Sequence, residues 1–143
     1  MSTRRLLPIA IVALLVLTAA ASATEGGYPP RTLVLFVADW CAPCHGEVAW
    51  LDEIAQAAPG WRIGVADGDS PRRPGRLVRA VATERRWVPD ATTTARLRRE
   101  LFPDMAGLPY SVAFDGAGRV CAESRRPLDA ARVAAMLATC PVP

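Results

Sequence analysis

The chain of 143 residues contains no lysine; all seventeen basic residues are arginine. It has one histidine, His45, so copper handling through Cys41, Cys44 and His45 lacks a further imidazole to complete it. Aromatic residues make up only 6% of the chain, and none is interleaved in Arg72-Arg73, Arg85-Arg86, Arg98-Arg99 or Arg125-Arg126. Such scattered pairs read as solvated helix faces, which excludes a nucleic-acid surface. Repeats and low-complexity tracts are absent beyond the N-terminal region, so repeat architectures are excluded as well. The net charge of +3 is partly that region's doing. Without Arg4 and Arg5, fifteen arginines face fourteen acidic residues.

What is present first is an address. Arg4 and Arg5 precede an apolar run from Leu6 to Leu17, and Ala21-Ser22-Ala23 supplies small residues for cleavage. These parts make residues 1–23 a secretory signal peptide. Left uncut, residues 6–23 are just long enough to anchor the chain in a bilayer. No cysteine stands near the cleavage site, which argues against lipoprotein processing. Either way the remainder, 24–143, is exported, and its length suits one domain with a single modest core.

The most informative motif is Trp40-Cys41-Ala42-Pro43-Cys44. Upstream, Thr32 to Val37 is a short β-prone apolar run, the pattern of a buried strand. Downstream, Val48, Leu51, Ile54, Ala55 and Ala58 recur at helical spacing until Pro59-Gly60. The first sulfur is thus expected at a helix N-terminus, where free N–H groups and the dipole favour negative charge. A thiolate is such a charge, and it is the reactive form of cysteine. The site reads as redox chemistry, with a structural disulfide or a zinc corner as the competing role.

The rest of the chain alternates. Trp61 to Ala66 predicts a second strand, and Leu77, Val78, Val81 and Ala82 a helix through about Arg86. Thr92 to Thr94 offer caps for another helix, with Leu97 and Leu101 on one face. Tyr110–Phe114 and Arg119–Glu123 flank Asp115-Gly116-Ala117-Gly118, a hairpin. Pro127 opens a last helix with Leu128, Val133, Met136 and Leu137 inward. The expected class is α/β, a central mixed sheet of about four strands flanked by helices. The first strands pair in parallel through crossovers, and the hairpin adds an antiparallel edge.

This order, Val37-Ala38-Asp39-Trp40-Cys41-Ala42-Pro43-Cys44 and Gly107-Leu108-Pro109 before the hairpin together resemble the thioredoxin superfamily. The resemblance covers about 31–140. The long connection from Asp67 to Leu108, with a helical insert before the proline, is most like the periplasmic TlpA/ResA/DsbE-type thiol–disulfide oxidoreductases. The resemblance implies a cis-proline at Pro109 and a substrate platform at Trp40 and Leu108. It implies Cys41 as nucleophile, Cys44 as resolving thiol, and Ala42-Pro43 as the dipeptide that tunes them. Partners would be cysteine-bearing exported proteins, such as apocytochromes c, and a membrane thiol electron donor. No cofactor, metal or nucleic acid is expected, and the chain is expected to be a monomer. One departure stands out. Thioredoxin carries a buried aspartate six residues before its first cysteine, and here that position is Leu35.

Cys41 should lie nearer solvent than Cys44. Cys121 and Cys140 should form a structural disulfide, with a second redox pair or two free thiols as alternatives. Trp50, Trp61 and Trp87 read as packing residues, Asp39 as exposed with an electrostatic effect on Cys41, and Glu47 as a complement to the helix dipole. His45 reads as a surface residue, although Cys41-Ala42-Pro43-Cys44-His45 also satisfies the c-type haem attachment pattern. Two other functions therefore stay open, a haem-bearing electron carrier and a disulfide-forming oxidant.

Overall fold

Thr32–Val37 form the central strand, β1, and all six residues are buried. A strand covered on both faces has no polar side, which is why apolar residues fill every position after Thr32. The computed structural model describes residues 26–141, so the expected signal peptide lies outside the described residues. β1 pairs in parallel with β2 (Arg62–Asp67), Leu33 opposite Ile63 and Leu35 opposite Val65. On its other side it pairs antiparallel with β3 (Tyr110–Phe114), which pairs antiparallel with β4 (Val120–Ser124). The result is a mixed four-stranded sheet in the order β2-β1-β3-β4.

Parallel neighbours need a crossover. Here it is α1 (Ala42–Ala49) and α2 (Leu51–Gln56). The longer connection from β2 to β3 holds α3 (Arg76–Ala80), a 3-10 turn at Thr83–Arg85, α4 (Ala91–Glu100) and a second 3-10 turn at Phe102–Asp104. After β4 comes α5 (Ala130–Leu137). Alternation along β1 sorts the layers. Leu33, Leu35 and Val37 pack with Ile54, Val78, Val133 and Met136, whereas Val34 and Phe36 pack with Leu97, Leu101 and Tyr110. Helices therefore cover both faces of the sheet.

Several elements differ from the sequence reading. The expected first helix bends at Trp50, whose N–H is shared between the carbonyls of Gly46 (3.1 Å) and Glu47 (3.2 Å). Trp50 is not a packing residue; the bend leaves it 60% exposed. The helix expected through about Arg86, α3, stops at Ala80, because the chain turns to cover the open edge of β2. There the Trp87 N–H donates to the Val65 carbonyl at 2.9 Å, and Arg86 bridges Val65 in parallel. Asp90, not Thr92 to Thr94, caps α4, its carboxylate accepting the Thr93 N–H at 2.7 Å. α5 begins at Ala130, capped by Asp129, so Pro127 and Leu128 precede it. Leu137 is only half-buried.

β4 runs one residue later than expected and carries a bulge. Ala113 faces Ala122 while Phe114 faces Val120, leaving Cys121 unpaired between them. A strict strand would send Cys121 and Ala122 to opposite faces. With the bulge both pack against the cluster that contains Val133 and Met136.

Candidate active site

β1 ends at Val37, and four residues later α1 begins with Cys41 as its N-cap. The Cys41 N–H donates to the Ala38 carbonyl at 3.1 Å, closing the turn between strand and helix. Cys41 has extended backbone and its side chain caps nothing, while Cys44 lies one turn on. That i,i+3 spacing brings the two sulfurs together, and they form a disulfide with Cα atoms 5.3 Å apart. Both residues are buried, Cys41 at 2% and Cys44 at 0% exposed. The expected contrast is therefore slight. Ala42 and Pro43 face solvent, and the bond tucks beneath them into the core.

Trp40 supplies the exposed surface beside this bond, 66% accessible. Its indole N–H donates to Asp69 Oδ2 at 2.6 Å. Asp69 sits in a loop organised by Asp67, whose carboxylate accepts the N–H groups of Asp69, Ser70 and Gly75. The same loop reaches the redox turn a second time. The Asp39 carboxylate accepts the N–H groups of Arg76 (3.0 Å) and Leu77 (2.7 Å), which holds it below the usual carboxylate range. Asp39 thus caps α3, a bond for which the sequence offered no local sign. Gly75 makes this approach possible, since a Cβ there would lie 2.9 Å from both Asp39 oxygens.

Pro109 is buried and its bond to Leu108 is cis. It precedes Tyr110, the partner of Phe36 in the β1–β3 ladder. It therefore stands at the end of the sheet where β1 leads into Cys41. Leu108 is half-buried against the cluster that includes Cys41 and Cys44. Trp40, Cys41, Cys44, Leu108 and Pro109 are thus collected at one end of the sheet. His45 is exposed, its Nε2 lying 2.9 Å from the Asp39 carbonyl oxygen.

Glu47 is the residue that sequence reasoning missed. It is 3% exposed, and its Oε1 accepts the Leu128 N–H at 2.8 Å. Its Oε2 has no hydrogen-bond partner; among the described residues only Ser111 Oγ shares that condition while buried. Burial pushes the Glu47 carboxyl up to about 7, with the Leu128 bond opposing. The signal was its spacing: Cys44, Glu47, Leu51 and Ile54 form one buried helical stripe. A carboxyl on that stripe, three residues after Cys44, occupies its face of the helix. It can exchange a proton near neutral pH.

Cys121 and Cys140 form a second disulfide, joining β4 to the chain just after α5. Their separation of 19 residues corresponds to roughly 3 kcal/mol of loop-closure stabilisation. Cys121→Ser is accordingly expected to lower the stability measured by urea denaturation by about that amount. Thiol exchange at Cys41 should survive. Among the described residues no group of three or more His, Cys, Asp or Glu side chains is placed to hold a metal ion. Nor is any described helix long and apolar enough to cross a membrane. No protein-family model matches the chain, and no curated protein matches it.

Proposed function

We propose that the chain is a thioredoxin-fold thiol–disulfide oxidoreductase, of the periplasmic TlpA/ResA/DsbE type, that reduces disulfides of exported proteins. One observation carries this reading: a disulfide within a single helical turn at the β1–α1 junction, beside an exposed tryptophan and the Leu108–Pro109 segment. The mixed four-stranded sheet with helices on both faces is compatible with that fold. Two disulfides in one small domain agree with an oxidising compartment.

The cycle starts from the reduced pair. The Cys41 thiolate attacks one sulfur of the partner's disulfide, that S–S bond breaks, and the first partner thiolate leaves. Cys44 then gives its proton to the Glu47 carboxylate and attacks the Cys41 sulfur. The mixed disulfide breaks, the second partner thiolate leaves and takes up a proton, and Cys41–Cys44 closes. Two electrons have passed to the partner. A membrane thiol donor restores the dithiol, and apocytochromes c fit the role of partner.

The direction follows from how poorly this turn stabilises a thiolate. Pro43, at the second helical position, has no N–H, and the Cys44 N–H already donates to the Cys41 carbonyl at 3.0 Å. His45 binds the Asp39 carbonyl instead of the sulfur. With few donors to hold a thiolate at Cys41, the couple is expected to be reducing rather than strongly oxidising. Haem attachment would require both sulfurs as free thiols, which this bonded pair would supply only after reduction. Insulin reduction with dithiothreitol as donor tests the proposal. The protein should accelerate it and Cys41→Ser should fall to background; an unchanged rate in that variant would make the disulfide structural.

A further inference from the structure

The fold brings together arginines that the sequence scatters. Arg72 and Arg73, in the loop after β2, and Arg98, on α4, line one open cavity of about 370 Å³. Ala91, Thr94 and Ala95 supply a face of α4 as its wall. Among the described residues that line it none is acidic. Other arginines have partners: Arg76 faces Asp39, Arg85 faces Asp52, Arg96 faces Glu100 and Arg132 faces Asp129. The carboxylates nearest the cavity in sequence serve other donors. Asp67 takes three backbone N–H groups, Asp69 takes the Trp40 indole, and Asp90 takes the Thr93 N–H. Three arginines thus line one cavity with no acidic side chain among the described residues of its wall. A concave wall focuses their field, and guanidinium forks match carboxylate geometry.

We propose that this cavity binds the carboxylate side chains of an acidic segment on the protein whose disulfide is exchanged at Cys41. The partner's identity rests on the function proposed above; the anion binding does not. Placement favours a protein partner. Ser70, on the cavity wall, directly follows Asp69, which holds the Trp40 indole beside Cys41. A segment lying across Trp40 meets the arginines on the same loop.

The test is fluorescence anisotropy at low salt with two labelled, cysteine-free peptides. One is rich in Asp and Glu; the other carries Asn and Gln in their place. The acidic peptide should bind about tenfold more tightly, and an Arg72→Gln, Arg73→Gln, Arg98→Gln variant should lose that factor, roughly 1.4 kcal/mol. A second variant, with Gln at the exposed Arg62, Arg125 and Arg126, has the same net charge and should bind normally. Equal binding of the two peptides, equal loss in the two variants, or no loss in the first overturns the proposal. Displacement of the peptide by micromolar inorganic phosphate would reassign the cavity to a small free anion and overturn the partner. Since neither peptide can exchange thiols, failure here is separate from failure of insulin reduction.

Discussion

Cys44→Ser protein, reduced and mixed with a disulfide-bearing substrate, is expected to accumulate as a covalent adduct through Cys41. The first attack needs only the Cys41 thiolate. Release needs the second thiol of the same turn, held against the first sulfur within one disulfide-forming geometry. An intramolecular nucleophile acts at an effective concentration far above that of any added thiol, so release should slow on the order of a hundredfold or more. The adduct should survive a non-reducing gel and vanish with excess dithiothreitol. Cys41→Ser should form none. Adduct through Cys44 in that variant, in comparable yield, would reverse the assigned order of the two sulfurs.

Glu47→Gln should change both the pH dependence of stability and the rate of that second step. In the folded protein the carboxyl titrates at about 7, against 4.5 for an ordinary glutamate, because it is buried. Between those values the native state holds a proton that the unfolded chain has lost. Stability therefore falls as pH rises through this window and levels off above it. The full difference is roughly 3 kcal/mol. Asp39 and Asp90, whose carboxyls are lowered by backbone N–H groups, act in the opposite sense, but only in acid, near and below about pH 4. Urea midpoints from pH 5 to pH 8 should thus decline for the oxidised protein and stay flat for Glu47→Gln. The amide keeps an acceptor for the Leu128 N–H without the charge. Resolution by Cys44 at pH 7 should slow about a hundredfold, the low end of what a positioned general base supplies. Equal slopes in the two proteins would remove Glu47 from the proton path.

The parts that were legible in sequence are those written locally. The apolar, β-prone run after Thr32 reads as a strand covered on both faces, and the hairpin turn announces itself through Asp115 and Gly118, the latter at φ 73°. Cys-x-x-Cys between such a strand and a helical stripe marks the reactive turn. What escaped depends on partners far along the chain. α3 ends early because Trp87 bonds Val65 on the edge of β2. Asp39 caps a helix 37 residues away. Trp50 is exposed because the helix bends on a shared hydrogen bond. Glu47 lay within reach, since its place on the buried stripe was readable. Its charge pointed to the surface, and only the Leu128 bond and the orphaned Oε2 reveal a carboxyl held inside.

The central claim is that Cys41 and Cys44 form a reducing couple, and its equilibrium potential tests that most directly. The protein would be equilibrated in a dithiothreitol or glutathione series and its free thiols counted by mass-tagging, with Cys121→Ser/Cys140→Ser as the background that isolates the active pair. A value near −270 mV, about that of thioredoxin, is the predicted result. A value near −120 mV, about that of DsbA, would place a strongly stabilised thiolate at Cys41 and make the protein an oxidant. That outcome would contradict the account.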